Sequence, residues 1–166
     1  MTSVWVLVRW LHLLAAITWI GGMLFILLVL LPVVRPALAA NDRALLVGRV
    51  GTRYGVISFV ALVILLVTGY LNGERRSVDW TDLTATVYGT RLLVKLVLVA
   101  IIIVVTGLHA WYGQRIVRLV EQAVGAADQS GIAMQRRRLQ IISGTLSGVN
   151  LALNLAVVWI AASLIA

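Results

Sequence analysis

The sequence predicts an all-α integral membrane protein, a bundle of four transmembrane helices. Three observations predict it. Hydrophobic residues make up 61% of the chain and charged residues only 12%, against roughly 45–50% and 25% in soluble domains. A mean hydropathy of +1.03 over 166 residues leaves too little polar sequence for a water-facing shell, so lipid must do the coating. The apolar residues also fall into four stretches, each able to cross a hydrocarbon core of roughly 30 Å, which takes about 20 helical residues. These are continuous runs, as at 24–31 and 96–105, whereas a transmembrane β-barrel alternates polarity over segments of about ten residues.

The first predicted helix covers 4–34. It is longer than a bilayer needs, so it must tilt or emerge, and Pro32 and Pro36 mark its exit. Ala37-Leu38-Ala39 resembles a signal-peptide cleavage site. The apolar region before it is about twice the usual 7–15 residues, and no positive charge precedes Arg9, which predicts a retained helix. The second helix covers 54–71, the third 88–111 and the fourth 139–165, and all four form one domain over 1–166. No internal repeat or low-complexity segment interrupts them.

The basic residues orient the bundle. Nine of the fourteen Lys and Arg residues follow helices one and three, namely Arg35, Arg43, Arg49, Arg53, Arg115, Arg118 and Arg136 to Arg138. The positive-inside bias puts those segments in the cytoplasm and both termini outside. Trp5, Trp10, Tyr70, Trp80, Tyr88 and Trp159 then fall at the outer interface, and Tyr54, Trp111 and Tyr112 at the inner one. The net charge of +8 is spread among apolar runs, so topology explains it and nucleic acid is excluded as a partner. The lipid bilayer is the partner implied, with a homo-oligomer or a membrane partner as the open alternatives.

The absence of cysteine excludes disulfides, thiolate metal sites and cysteine nucleophiles. There is no phosphate-cradling loop, catalytic triad or zinc-site spacing, so chemistry must come from a few intramembrane polar residues. In `RWLHLLAAITWIGG`, His12 lies one turn below the outer aromatic residues, with Ala16, Trp19 and Met23 on the same face. An ionisable group in hydrocarbon is costly without a partner, which makes His12 a candidate site residue; a histidine hydrogen-bonded to another helix is the bland alternative. Ala15, Ala16, Gly21 and Gly22 are expected to let another backbone approach.

Lys95 lies one turn inside Arg91, at about the depth of His12. Either it snorkels outward on its four-carbon stem, or it faces the bundle as a proton donor, anion anchor or, when neutral, a ligand. His109 is about 21 Å deeper, against Trp111 and Tyr112. Ligands of one metal ion bonded at about 2 Å must share a depth, so His12 and His109 cannot hold one ion or supply a dihaem pair. Ser143, Ser147, Asn150 and Asn154 recur at helical spacing and predict a stripe of interhelical hydrogen bonds. No acidic residue lies inside a predicted helix, which argues against a carboxylate proton relay.

`RWLHLLAAITWIGGMLF`, `LLVTGYLN` and `YGTRLLVKLVLVAII`, in that order, resemble the copper resistance protein D (CopD) family over about residues 5–115. Longer members of that family carry additional helices, so the resemblance implies a minimal four-helix form in a bacterial plasma membrane. It further implies copper uptake or homeostasis, with copper met at His12 and a thioether at Met23. Softness suits imidazole and thioether to Cu(I), but Met23 is roughly 16 Å along the helix from His12, so the two would be successive stations. The His-helix and Lys-helix arrangement is also similar to HemJ-type membrane protoporphyrinogen oxidases. That resemblance implies haem b as the cofactor, held by His12 and Lys95. An accessory membrane subunit without a ligand is the third reading.

Overall fold

The computed structural model describes residues 2–122 and 129–163, and among them every regular element is helical. Helix α1 (Thr2–Phe25) runs through a π-helical turn, Ile26–Leu30, into α2 (Leu31–Ala37). Helices α3 (Ala40–Arg75), α4 (Val87–Gln122) and α5 (Gln129–Ser163) follow. Four segments are long and apolar enough to span a membrane: Ser3–Ala37, Ala40–Arg75, Val87–Gln122 and Gly131–Ser163. The four-helix prediction therefore holds. The sides assigned to the chain termini, and residues 164–165 of the fourth predicted helix, lie outside the described residues.

The element boundaries need correction. The segments read as Arg-rich loops are largely helical, since α3 begins at Ala40 and α4 continues to Gln122. Bilayer hydrophobicity delimits a span, but a helix continues past it where Ala, Leu and Arg recur, because those residues cost little in helix propensity and Arg can face water. The π turn has a local cause in Pro32, which lacks an N–H and crowds the carbonyl four residues earlier. Just before it, the Leu31 N–H reaches back five residues to the Ile26 carbonyl.

Packing follows two antiparallel pairs, α1 with α3 and α4 with α5, joined mainly along α3 and α4. The core at their junction is small, formed by Ala15, Trp19, Ala61 and Ile102. Large apolar side chains elsewhere point outward, among them Ile17, Leu28, Phe59, Val104 and Trp159. This inverted distribution is what lipid demands, because hydrocarbon gives apolar side chains no reason to hide. Gly22 admits the Tyr54 ring, which a Cβ would strike, and the Tyr54 hydroxyl donates to the Trp19 carbonyl. Gly21 faces open space. The close approach expected at this glycine pair thus uses one glycine only, and it receives a ring, not a backbone.

The α3–α4 connection is tightly built. Helix α3 ends in a Schellman motif, with Val78 N–H on the Gly73 carbonyl at 3.2 Å and Ser77 N–H on the Glu74 carbonyl at 2.9 Å. Ser77 takes the left-handed position at φ 53°. Trp80 lies across Gly73, where a Cβ would strike its indole. Its Nε1 donates to Glu74 Oε1 at 2.7 Å, and its ring stacks on Tyr70 at 5.3 Å. Thr86 caps α4 by accepting the Gly89 N–H at 2.9 Å.

Candidate functional site

Helix alternation gathers the start of α1, the end of α3, the start of α4 and the end of α5 at one end of the bundle. Arg91 on α4 donates to the Ser163 carbonyl on α5 there, at 2.9 Å. His12 is half-buried one level inside this end. Its Nδ1 lies 2.8 Å from Thr68 Oγ1 on α3. The single Thr68 hydroxyl proton is directed to the Ile64 carbonyl at 2.5 Å, the usual back-bond of a helical threonine. Thr68 Oγ1 therefore accepts from His12, and this pattern assigns the proton to Nδ1 and the ring lone pair to Nε2. A histidine so held is the ordinary form of a metal-ligating imidazole, whose far nitrogen is oriented by a partner. Gly69 leaves room beside the ring, and a Cβ there would sit 3.6 Å from His12 Cε1.

Lys95 is half-buried, and its ammonium lies within Coulombic reach of the His12 ring and of Arg76. The structure thus brings Lys95 and His12 into one neighbourhood across α4 and α1. It does not bring Met23 there. Eleven positions separate Met23 from His12 on continuous α1, about 16 Å. The apolar side chains of Ala15, Ala61 and Ile102 lie between those levels.

Met23 belongs to a second polar cluster deeper in the bundle. Trp19 Nε1 donates to Asn154 Oδ1 at 2.8 Å. Asn154 Nδ2 reaches the Asn150 carbonyl at 2.8 Å and Met23 Sδ at 3.9 Å. Asn150 Nδ2 donates to Thr106 Oγ1 at 3.0 Å. The α5 stripe therefore forms interhelical hydrogen bonds, as its spacing predicts. His109 joins the same scheme, its Nδ1 lying 3.1 Å from the Ser143 carbonyl and 3.2 Å from Ser143 Oγ. It ties α4 to α5, far from His12.

Sequence reasoning missed Thr68 as the partner of His12 and Asn154 as the partner of Trp19. No spacing in the sequence pointed to the first, because Thr68 and His12 lie 56 positions apart; the Thr68 carbonyl also accepts from Asn72 Nδ2 at 2.8 Å. Among the described residues, no three His, Cys, Asp or Glu side chains cluster closely enough to hold a metal ion. Among the described residues two imidazoles are held through Nδ1, His12 by Thr68 and His109 by Ser143, at opposite ends of the bundle.

A family model for copper resistance protein D matches residues 48–164, well over half of the chain. The chain belongs to the copper resistance protein D family. No curated protein and no solved structure matches it. Of the two resemblances drawn from sequence, the family model supports the first. Lys95, Thr68 and the α5 asparagines lie inside the matched region, whereas α1, with His12 and Met23, precedes it. Family membership and four spanning helices make this a copper-resistance-related integral membrane protein.

Proposed function

We propose that this copper resistance protein D family member takes up copper through an outer-leaflet site centred on His12. The observation that carries the reading is the hydrogen bond from His12 Nδ1 to Thr68 Oγ1, which leaves Nε2 as a soft donor inside the membrane boundary. Imidazole is well suited to copper, and an oriented ring gives up little freedom on binding. In this reading the His12 end faces outward, because nine of the fourteen Lys and Arg residues sit toward the other end.

Copper is the cargo. An entering ion exchanges one carried ligand for His12 Nε2. Lys95 opposes it while charged, since two cations repel strongly in a medium of low dielectric. Lys95 therefore either swings to the rim on its long stem or releases its proton to water at the outer end as the ion passes, which makes it the gate of the site. Met23 is the next soft donor, beyond the apolar layer at Ala15, Ala61 and Ile102.

Metal analysis and absorption spectroscopy of detergent-purified protein test the reading. Copper that depends on His12, with no Soret band, is the expected result. A Soret band lost in both His12→Ala and Lys95→Ala would overturn it in favour of haem.

A further inference from the structure

The π turn leaves main-chain carbonyls without their donors. Because the Leu31 N–H goes to the Ile26 carbonyl, the Leu27 carbonyl loses the donor four residues on. The next residue along is Pro32, which has no N–H to offer it. Leu28, whose own donor four residues on is that same Pro32, loses it as well. Both carbonyls lie within the apolar run 24–31. Hydrocarbon gives them nothing to accept from, and irregular backbone at membrane depth persists only against protein or water. The rest of the chain leaves the turn uncovered. Among the described residues, α3, α4 and α5 keep their backbones away from it, and none of its own residues is buried.

Donors stand at the same depth on α3. Tyr54 bonds the Trp19 carbonyl and lies against Gly22, which fixes the level of α3 against α1. The two helices run antiparallel, so Arg49, one and a half turns before Tyr54, is level with Leu27, one and a half turns after Gly22. Arg49 and Arg53 are exposed, and among the described residues neither is bonded to the turn of its own chain. They share a face of α3 with Val56 and Val60, at spacings of four, three and four. That face borders a recess of about 300 Å³ between α1 and α3, lined by Leu11, Thr18, Val56 and Val60 among others. Thr18 spends its hydroxyl on the Leu14 carbonyl at 2.9 Å, so the recess offers apolar contact. Phe25, seven positions beyond Thr18, and Leu28 project at its inner end, 54% and 65% exposed.

We propose that this α1–α3 face is covered by the same face of a second copy of the chain, in a two-fold dimer where Arg49 and Arg53 of one protomer donate to the Leu27 and Leu28 carbonyls of its partner. Lipid tails could fill the recess but cannot donate to a carbonyl. A guanidinium can, and its charge complements the partial negative charge that the unpaired carbonyls carry. Two-fold symmetry makes each pairing occur twice, with the Phe25 and Leu28 side chains of each copy set against the recess of the other. The dimer is independent of copper binding at His12.

The chain has no cysteine, so one introduced cysteine can form a disulfide only with another copy. Metal-free full-length variants in liposomes of phosphatidylcholine and phosphatidylglycerol are oxidised with iodine and run on non-reducing gels. Phe25→Cys, Leu28→Cys and Val56→Cys test the proposed face, and at least one of them should give a cross-linked dimer. Val104→Cys on α4 and Leu155→Cys on α5, also exposed, should stay monomeric. By sedimentation equilibrium in uncharged detergent the parent should be dimeric, and Arg49→Gln with Arg53→Gln should weaken association about tenfold. Circular dichroism establishes that each variant is folded, and the cysteine variants, which keep both arginines, hold the test decisive if the glutamine pair is not. The proposal is overturned if the parent is monomeric and none of the three positions cross-links, or if Val104→Cys cross-links as fully. It is also overturned if the folded glutamine pair associates as the parent does, the result expected of a turn covered by water. Because no copper is present, such a failure leaves the copper reading standing.

Discussion

A single hydroxyl decides what His12 can do. With its proton committed to the Ile64 carbonyl, Thr68 can only accept from Nδ1, and the ring presents Nε2. Thr68→Val keeps the shape and removes the acceptor, so the ring loses its orientation. Cu(I) affinity is expected to fall about 10–100-fold, the usual cost of removing such an outer partner, and a competition titration with a Cu(I) chelator measures it. Ser77 is a second decisive residue, since it occupies the left-handed position at φ 53° that glycine adopts without steric cost. Ser77→Gly should raise stability by about 1 kcal/mol, visible as a higher thermal midpoint in detergent. His12 was legible in the sequence because an ionisable group inside hydrocarbon stands out. Thr68 was not, since its role depends on a neighbour 56 positions away, and a threonine in an apolar helix reads as packing.

Among the elements, α5 is held by its polar stripe. Asn154 serves Trp19 from α1 and its own helix at once, so Asn154→Leu leaves a buried indole N–H without an acceptor. The expected loss is about 1–2 kcal/mol. A double-mutant cycle with Trp19→Phe should show positive coupling, whereas additivity would mean that the hydrogen bond contributes nothing. The stripe was readable from its spacing of four, three and four, but its partners were not, because spacing names a face and not the helix that meets it. The α3–α4 connection carries a pH dependence of its own. The Thr81 hydroxyl and backbone N–H hold the Asp79 carboxyl below its ordinary range. A depressed carboxyl stabilises the fold above its unfolded value of about 3.9 and loses that contribution as pH falls through the lower folded value. The thermal midpoint in detergent should therefore fall on acidification below about pH 4, and Asp79→Asn should lessen that fall.

The whole molecule places two polar levels on either side of a thin apolar layer. His12, Thr68 and Lys95 lie toward one end, and Trp19, Met23, Asn150 and Asn154 lie deeper, with Ala15, Ala61 and Ile102 between. The four spans were legible because hydrophobic length is a direct physical requirement of the bilayer. Their extensions at the Arg-rich end were not, because hydropathy marks where lipid stops and not where a helix does. Reporter fusions at 40–53 and at 76–86 should place the first segment in the cytoplasm and the second outside, as the positive-inside bias requires.

Copper uptake into proteoliposomes tests the central claim most directly. Parent protein should load vesicles with Cu(I), His12→Ala should reduce the rate to that of empty vesicles, and His109→Ala, which removes only an α4–α5 tie, should retain most of it. Uptake that survives His12→Ala, or that is lost more completely in His109→Ala, would contradict the account.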